Sequence, residues 1–283
     1  MNDPIAASKM LPAVDSQPKA RRRINPTAVS ISIQTAFVVL FLAAWEAGAR
    51  AGIISPFLVG SPVGIWKVFS VSLFNGSLLD DTWTTLFEAI LGFVLGTLAG
   101  SVLGLGLWYS PFVARLVEPF VVAINSVPKI AFAPIVILWF GTGLVSKVAL
   151  AVSLTSIVAL IAAYQAAKDA DGDLQALLLT FGATKHQVFY KAVVPSALPA
   201  IIATFRINVG FGLVGAVVGE FISSQKGLGH RIFTASSLYD LNTVWLGLFT
   251  LMLIGFVLYF VIDVLEKALL PWKQVQGASV VRL

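Results

Sequence analysis

Residues 173–199 read DLQALLLTFGATKHQVFYKAVVPSALP. Lys185, His186, Gln187 and Lys191 crowd together there, and a bilayer core would hold them only against a large desolvation penalty. The stretch therefore lies outside the membrane, as a polar, helix-forming hairpin in a chain that is apolar almost everywhere else. Of the 283 residues, 58% are hydrophobic and 12% charged, and mean hydropathy is +0.90. With long apolar runs, that balance points to an all-α integral membrane protein and not to a soluble domain. The net charge of +5 comes from basic residues dispersed among the apolar runs. It speaks for membrane orientation, with no nucleic-acid partner. The absence of cysteine excludes disulfides, a thiolate nucleophile and any Cys-based zinc site.

Runs of about 20 apolar residues, enough to span, fall at roughly 28–49, 84–108, 117–140, 145–166, 199–222 and 243–266. Pro128 and Pro134 break the third. About six transmembrane helices leave both termini on one side. If that side is cytoplasmic, 12 of the 19 Lys and Arg lie in inside loops and tails and five, Arg50, Lys67, Lys147, Lys226 and Arg231, lie outside, with Lys129 and Arg206 inside spans. The positive-inside rule selects this orientation and puts the hairpin in the cytoplasm. Residues 56–79 are apolar enough for a seventh span, but including them reverses everything downstream and erases the charge bias. The spacing of Val63, Trp66, Phe69 and Leu73 instead marks one face of a helix lying flat at the interface.

Ahead of the first span, Arg21–Arg23 and Ala47-Gly48-Ala49 imitate a signal peptide, yet the apolar run is long enough to stay as an uncleaved span. Residues 1–27, with four prolines, read as a disordered cytoplasmic tail. The membrane domain then covers 28–270, with a cytoplasmic loop at about 167–198, and 271–283 form a second cytoplasmic tail.

No phosphate-binding G-x-x-x-x-G-K-[ST] loop, H-E-x-x-H or G-x-S-x-G is present. The two histidines, His186 and His230, fall on opposite sides of the membrane in this topology, which leaves no shared metal site. Active transport would need energy from another polypeptide or from an ion gradient. The outer loops at roughly 50–83 and 223–242 are too short for a ligand-binding domain, so capture of a dilute solute would need a separate binding protein.

Within the hairpin, Asp171 and Asp173 suit the positive end of a first helix, and Gly182 can take the left-handed conformation that ends it. Thr184 caps a second helix at roughly 185–193, with Val188, Phe189, Ala192 and Val193 as its apolar side and Lys185, His186 and Lys191 polar. Pro195 and Pro199 are expected to stop that helix and start the fifth span. An exposed apolar face of this kind fits a partner's groove. Packing on lipid headgroups is the alternative that the residues leave open.

The stretch GATKHQVFYKAVVPSALP at 182–199 resembles the cytoplasmic "EAA" loop of ABC importer permeases, where G-A-S-x-x-Q-x-F-x-x-V-x-L-P is typical. PKIAFAPIVILWFGTG at 128–143, RINVGFGLVGAVVGEF at 206–221, GLGH at 227–230 and Pro271-Trp272 are similar to the nitrate/sulfonate/taurine group of that family. The loop departs from the pattern at Ala176, where the naming glutamate is expected, at Leu177-Leu178 and at Val194. The resemblance implies a non-catalytic permease subunit in the bacterial inner membrane, working as a homodimer with ABC ATPase subunits. A periplasmic or lipid-anchored solute-binding protein would deliver the solute. ATP and Mg would be bound by the ATPase, with no cofactor in this chain. It also implies that a coupling helix docks on the ATPase, which assigns ATPase coupling to Phe181, Gly182, Ala183, Thr184, Lys185, His186, Phe189 and Pro195.

Polar residues inside spans are candidates for a translocation pathway: Asn125, Ser126 and Lys129 around the Pro128 break, then Arg206, Asn208 and Glu220 in the fifth span. Lys129 and Arg206 would give a cavity positive potential, favouring an anion such as a sulfonate, nitrate or carboxylate. Alternatively they snorkel or pair with an acid such as Glu118. Glu88 and Asp263, near span ends, read as structural. Gly92, Gly96, Gly100 and Gly104, with neighbouring Gly106, form a small-residue stripe suited to close helix packing. An ion-coupled transporter or channel is the competing function, but it predicts paired broken helices, and only one proline-broken span is evident.

Overall fold

The computed structural model describes residues 26–270, with side chains from Ser30 onward. Of the tails expected at 1–27 and 271–283, residues 1–25 and all of the second, with Pro271-Trp272, lie outside the described residues, while Pro26 and Thr27 open a helix. The chain divides into two units, residues 1–45 and 46–283, and the first contains most of helix α1 (Pro26–Arg50). Two short helices follow, α2 (Pro56–Val59) and α3 (Pro62–Phe74). Four long or paired elements come next: α4 (Ser77–Leu107), α5 (Pro111–Ser126), α6 (Ala133–Phe140) and α7 (Leu144–Lys168). The polar stretch forms α8 (Gly172–Thr180) and α9 (Lys185–Val188). Helices α10 (Val194–Ser223), α11 (Leu228–Ser237) and α12 (Leu241–Leu269) complete the order.

Five described helices are long and apolar enough to cross a membrane, and α5 with α6 makes a sixth if that bent pair is one span. The two halves meet at 86°, at the Val127–Pro128 junction where the sequence places a break. Pro134 starts α6 from its first turn, where a missing N–H costs nothing. Helix α3 has 13 residues, or about 20 Å of helix, too short for a hydrocarbon core of about 30 Å. Of the four residues on its expected apolar face, Val63, Trp66 and Leu73 are exposed and Phe69 is half-buried. Ser61 caps this helix by accepting from Gly64 N, and Asn242 Oδ1 anchors it to α12 by accepting from Ser61 N at 2.9 Å.

Helices α4, α7 and α10 form the core, and the glycine stripe explains how closely they approach. A Cβ at Gly92 would lie 2.2 Å from Ala151 Cβ, and at Gly100 2.0 Å from the Ser156 carbonyl oxygen. On the facing helix, a Cβ at Gly215 would lie 2.4 Å from Ala151 Cα. Backbones this close gain dispersion contacts, the main attraction left to helices in lipid. Gly106 meets nothing within 4 Å, so the stripe ends at Gly104.

Candidate functional site

The hairpin is built by local signals that all agree. Asp171 Oδ1 accepts from Asp173 N and Leu174 N to start α8. The helix ends at Gly182, with φ 81°, where Gly182 N donates to Leu179 O and Ala183 N to Leu178 O. This paired closure leaves the preceding carbonyls satisfied. Thr184 and Gln187 then cap α9 reciprocally: Thr184 Oγ1 accepts from Gln187 N, and Gln187 Oε1 from Thr184 N at 2.8 Å.

The side named apolar from sequence faces inward. Val188, Phe189, Ala192 and Val193 are buried, with Phe189 and Val193 packed on Ala167, Ala170, Trp108 and Tyr109. The face left outside is different: Leu174, Leu177, Phe181 and Tyr190 are exposed, Phe181 by 79%. Trp108 and Tyr109, on the turn after α4, fix the hairpin in place. Lys185 Nζ donates to Tyr109 O at 2.6 Å, and Tyr109 Oη lies 3.1 Å from His186 Nδ1. Burial, and then Tyr190 nearby, hold the Tyr109 phenol above its ordinary range, so it stays protonated at neutral pH. A WY pair at the end of a glycine-striped span was the available signal for this seat.

Nor do the prolines stop the second helix. Residues 185–223 form one continuous helix of 39 residues, and a π-turn at Phe189–Val193 absorbs the disturbance. Val194 N donates to Phe189 O, five residues back. The widened turn gives room for the ring of Pro195, which has no N–H to place.

Each pathway candidate has its own contacts among the described residues. Lys129 Nζ donates to Asn125 Oδ1 at 3.2 Å, and Ser126 Oγ to Val122 O. Arg206 lies 2.5 Å from Asp263 and 2.8 Å from Glu266, with Tyr259 beneath it, so its charge ties α10 to α12. Its acids come from α12, not from Glu118. Asn208 is fully buried and donates to Thr97 Oγ1 and Thr155 O, which links the three core helices.

Glu220 sits at the opposite end of the bundle from the hairpin. Its carboxylate accepts from Thr85 Oγ1 at 2.7 Å and from Gly229 N. A Cβ at Gly227 (φ 104°) or Gly229 would lie within 2.2 or 2.6 Å of that carboxylate, which explains the GLGH motif. Beside it, Lys147 Nζ donates to Glu88 Oε1 and Ser224 Oγ, both at 2.8 Å. Sequence reading put Lys147 in an outer loop, but it lies buried in α7. A cleft of about 770 Å³ opens next to this cluster, lined by Thr84, Glu88, Thr142, Lys147, Ser224 and Gln225 among others.

A multi-spanning helical membrane protein with a polar hairpin at one end is the class that this architecture defines. Residues 92–271 match the family described as the binding-protein-dependent transport system inner membrane component, and the chain belongs to that family. It is a non-catalytic permease subunit of an ABC-type importer. It is 35% identical to the formylaminopyrimidine transport permease protein ThiX of Halalkalibacterium halodurans, over 86% of this chain and 96% of the relative. With the riboflavin transport system permease protein RibX of Chloroflexus aurantiacus it shares 31% identity, over 93% and 98%. The fold is similar to that of the inward-facing MetNI methionine ABC transporter, with TM-score 0.58 and 20% identity over 69% of this chain and 97% of that one. Family membership implies ATPase and solute-binding partner chains and removes the gradient-driven alternative. Among the described residues, no group of three or more His, Asp or Glu side chains is placed to hold a metal.

Proposed function

We propose that the hairpin is the cytoplasmic coupling element on which an ABC ATPase docks, in a homodimer of this chain set in a bacterial inner membrane with both termini cytoplasmic. The observation that carries this reading is the pairing of a rigid seat with an exposed apolar tip. Trp108, Tyr109 and Phe189 hold the hairpin firmly enough to transmit force, and Leu177 and Phe181 stand clear of the protein at its end. Phe181, Gly182, Ala183, Thr184, Lys185 and His186 form the docking tip. Phe189 and Pro195 belong to the transmitting base, where the unbroken helix passes tip motion directly into α10. ATP binding closes the ATPase pair, drags the tips and swings the spans; hydrolysis resets them. The test is a pull-down of the tagged chain from native membranes beside Gly182→Asp. A stoichiometric ATPase should accompany the parent and be lost from the variant; no ATPase with either would defeat the assignment.

The solute is a small polar molecule delivered by an external binding protein. The anion reading now rests on Lys129, with Asn125 and Ser126 at the bend, because two carboxylates neutralise Arg206. Asn208 and Glu220 contribute by fixing the pathway helices. A neutral nitrogen heterocycle is the second reading, favoured by the names of ThiX and RibX.

A further inference from the structure

Another cavity opens at the hairpin end of the bundle. It holds about 370 Å³, within the roughly 300–1,000 Å³ usual for a small-molecule site. Its wall includes Trp108 after α4, Arg115 and Glu118 on α5, Tyr164 and Lys168 at the end of α7, and Gln175 of α8. Among the described residues, the charged ends of Arg115, Lys168 and Glu118 have no ion-pair or hydrogen-bond partner. The acids nearest Lys168 in sequence are committed elsewhere. Asp169 binds Gln165 through both oxygens at 3.0 Å, and Asp171 Oδ1 caps α8. One cavity thus carries two cations and one carboxylate, beside an indole, a phenol and an amide.

We infer that this cavity binds a phosphodiester that carries an ammonium group, as the ethanolamine headgroup of a phospholipid does. The phosphate sits on Arg115 and Lys168, and the ammonium on Glu118. An arginine fork and a lysine point charge are the usual pair for phosphate oxygens. Glu118 in the same wall repels a plain anion and selects a ligand whose far end is positive. The level of the cavity fits a headgroup. It lies where the spans α4 and α7 end, and Trp, Tyr and long basic side chains at span ends mark the headgroup layer. On α5, Phe112 and Leu116 are exposed and give acyl chains an apolar surface. A bound headgroup bridges α5, α7 and α8 beside Trp108, which also seats the hairpin. This site stands whether or not the hairpin meets an ATPase. The same headgroup chemistry also occurs without acyl chains, as soluble glycerophosphoethanolamine.

The test is native mass spectrometry of the full-length chain in mild detergent, with phosphatidylethanolamine and phosphatidylglycerol added in equal amounts. The parent should retain the ethanolamine lipid in preference to the glycerol lipid. Replacing both cations, Arg115→Gln with Lys168→Gln, should weaken retention of both lipids by about tenfold or more, since charge-assisted bonds to phosphate are lost. Glu118→Gln should keep lipid but lose the preference. Lys191→Gln, which removes an exposed cation outside the cavity, should behave as the parent. Added glycerophosphoethanolamine separates the two sources: displacement of the lipid shows that the soluble headgroup suffices, and no displacement shows that the acyl chains contribute. Equal retention of the two lipids by the parent overturns the site. So does a double variant that binds as the parent does, or a Lys191→Gln protein that loses as much as the double variant. If a variant does not fold, the parent's discrimination between the two lipids decides.

Discussion

Phe189 shows what one residue can decide in this protein. Its ring packs on Trp108 and Tyr109 with centroids 5.5 and 4.6 Å away, and it is 7% exposed. Truncating a buried phenylalanine to alanine costs about 3–5 kcal/mol through lost transfer energy and the cavity left behind. The cavity here lies under the hairpin and not in the helix core. Phe189→Ala should therefore leave the membrane helices assembled while the hairpin loosens. Hydrogen exchange should rise across 172–188 and stay at parental levels in α4 and α7; uniform protection would show that the ring does not seat the hairpin. Gly182, Thr184 and Asp171 were legible from sequence because their roles depend on backbone conformation and near neighbours. The Phe189 seat was not, because Trp108 and Tyr109 are some 80 residues away. Lys147 was misread for the same reason: only a partner on another helix, Glu88, permits its burial.

At the scale of elements, α4 and α7 are held together by the absence of side chains. A Cβ on Gly100 would meet the Ser156 carbonyl at 2.0 Å, while one on Gly106 would meet nothing. Backbone cannot yield as a flexible side chain can, so Gly100→Ala should force the helices apart and reduce the yield of folded protein several-fold. Gly106→Ala should be neutral, or stabilising by about 0.5–1 kcal/mol through helix propensity. Thermal melting of both variants in detergent checks the contrast. Equal loss would mean that glycine at these positions matters for helix bending and not for contact. The fifth span gives the opposite lesson. Two prolines read as stop signals, yet the π-turn lets one helix run from the hairpin tip to the far side of the bundle. Local rules could not foresee this, because the turn is stabilised by burying Phe189 and Val193.

Across the described residues, several charges within the helix bundle are held in ion pairs. Arg206 is bound by Asp263 and Glu266, and Lys147 by Glu88. Lys129, held by a neutral amide at the 86° bend, is the better placed of the two proposed pathway cations. If the solute is an anion, Lys129→Ala should lower uptake in reconstituted vesicles by about tenfold, the equivalent of about 1.4 kcal/mol. Arg206→Ala should instead lower stability by removing the two ion pairs that tie α10 to α12. Normal transport by Lys129→Ala in folded protein would favour the neutral heterocycle.

Composition and apolar run lengths determined the membrane class and the spans, because both depend on transfer of side chains from water to lipid, and Pro128 determined the break, because it has no N–H for the helix ladder. Capping residues determined the hairpin, because helix ends are governed within a few residues of chain. Tertiary structure alone decided which face of the hairpin remains outside, which charges are paired and where the helix passes its prolines. Each of those outcomes depends on residues far apart in sequence. Lys147 and Glu88 lie 59 positions apart, and Thr85 and Glu220 135, so only packing brings each pair together.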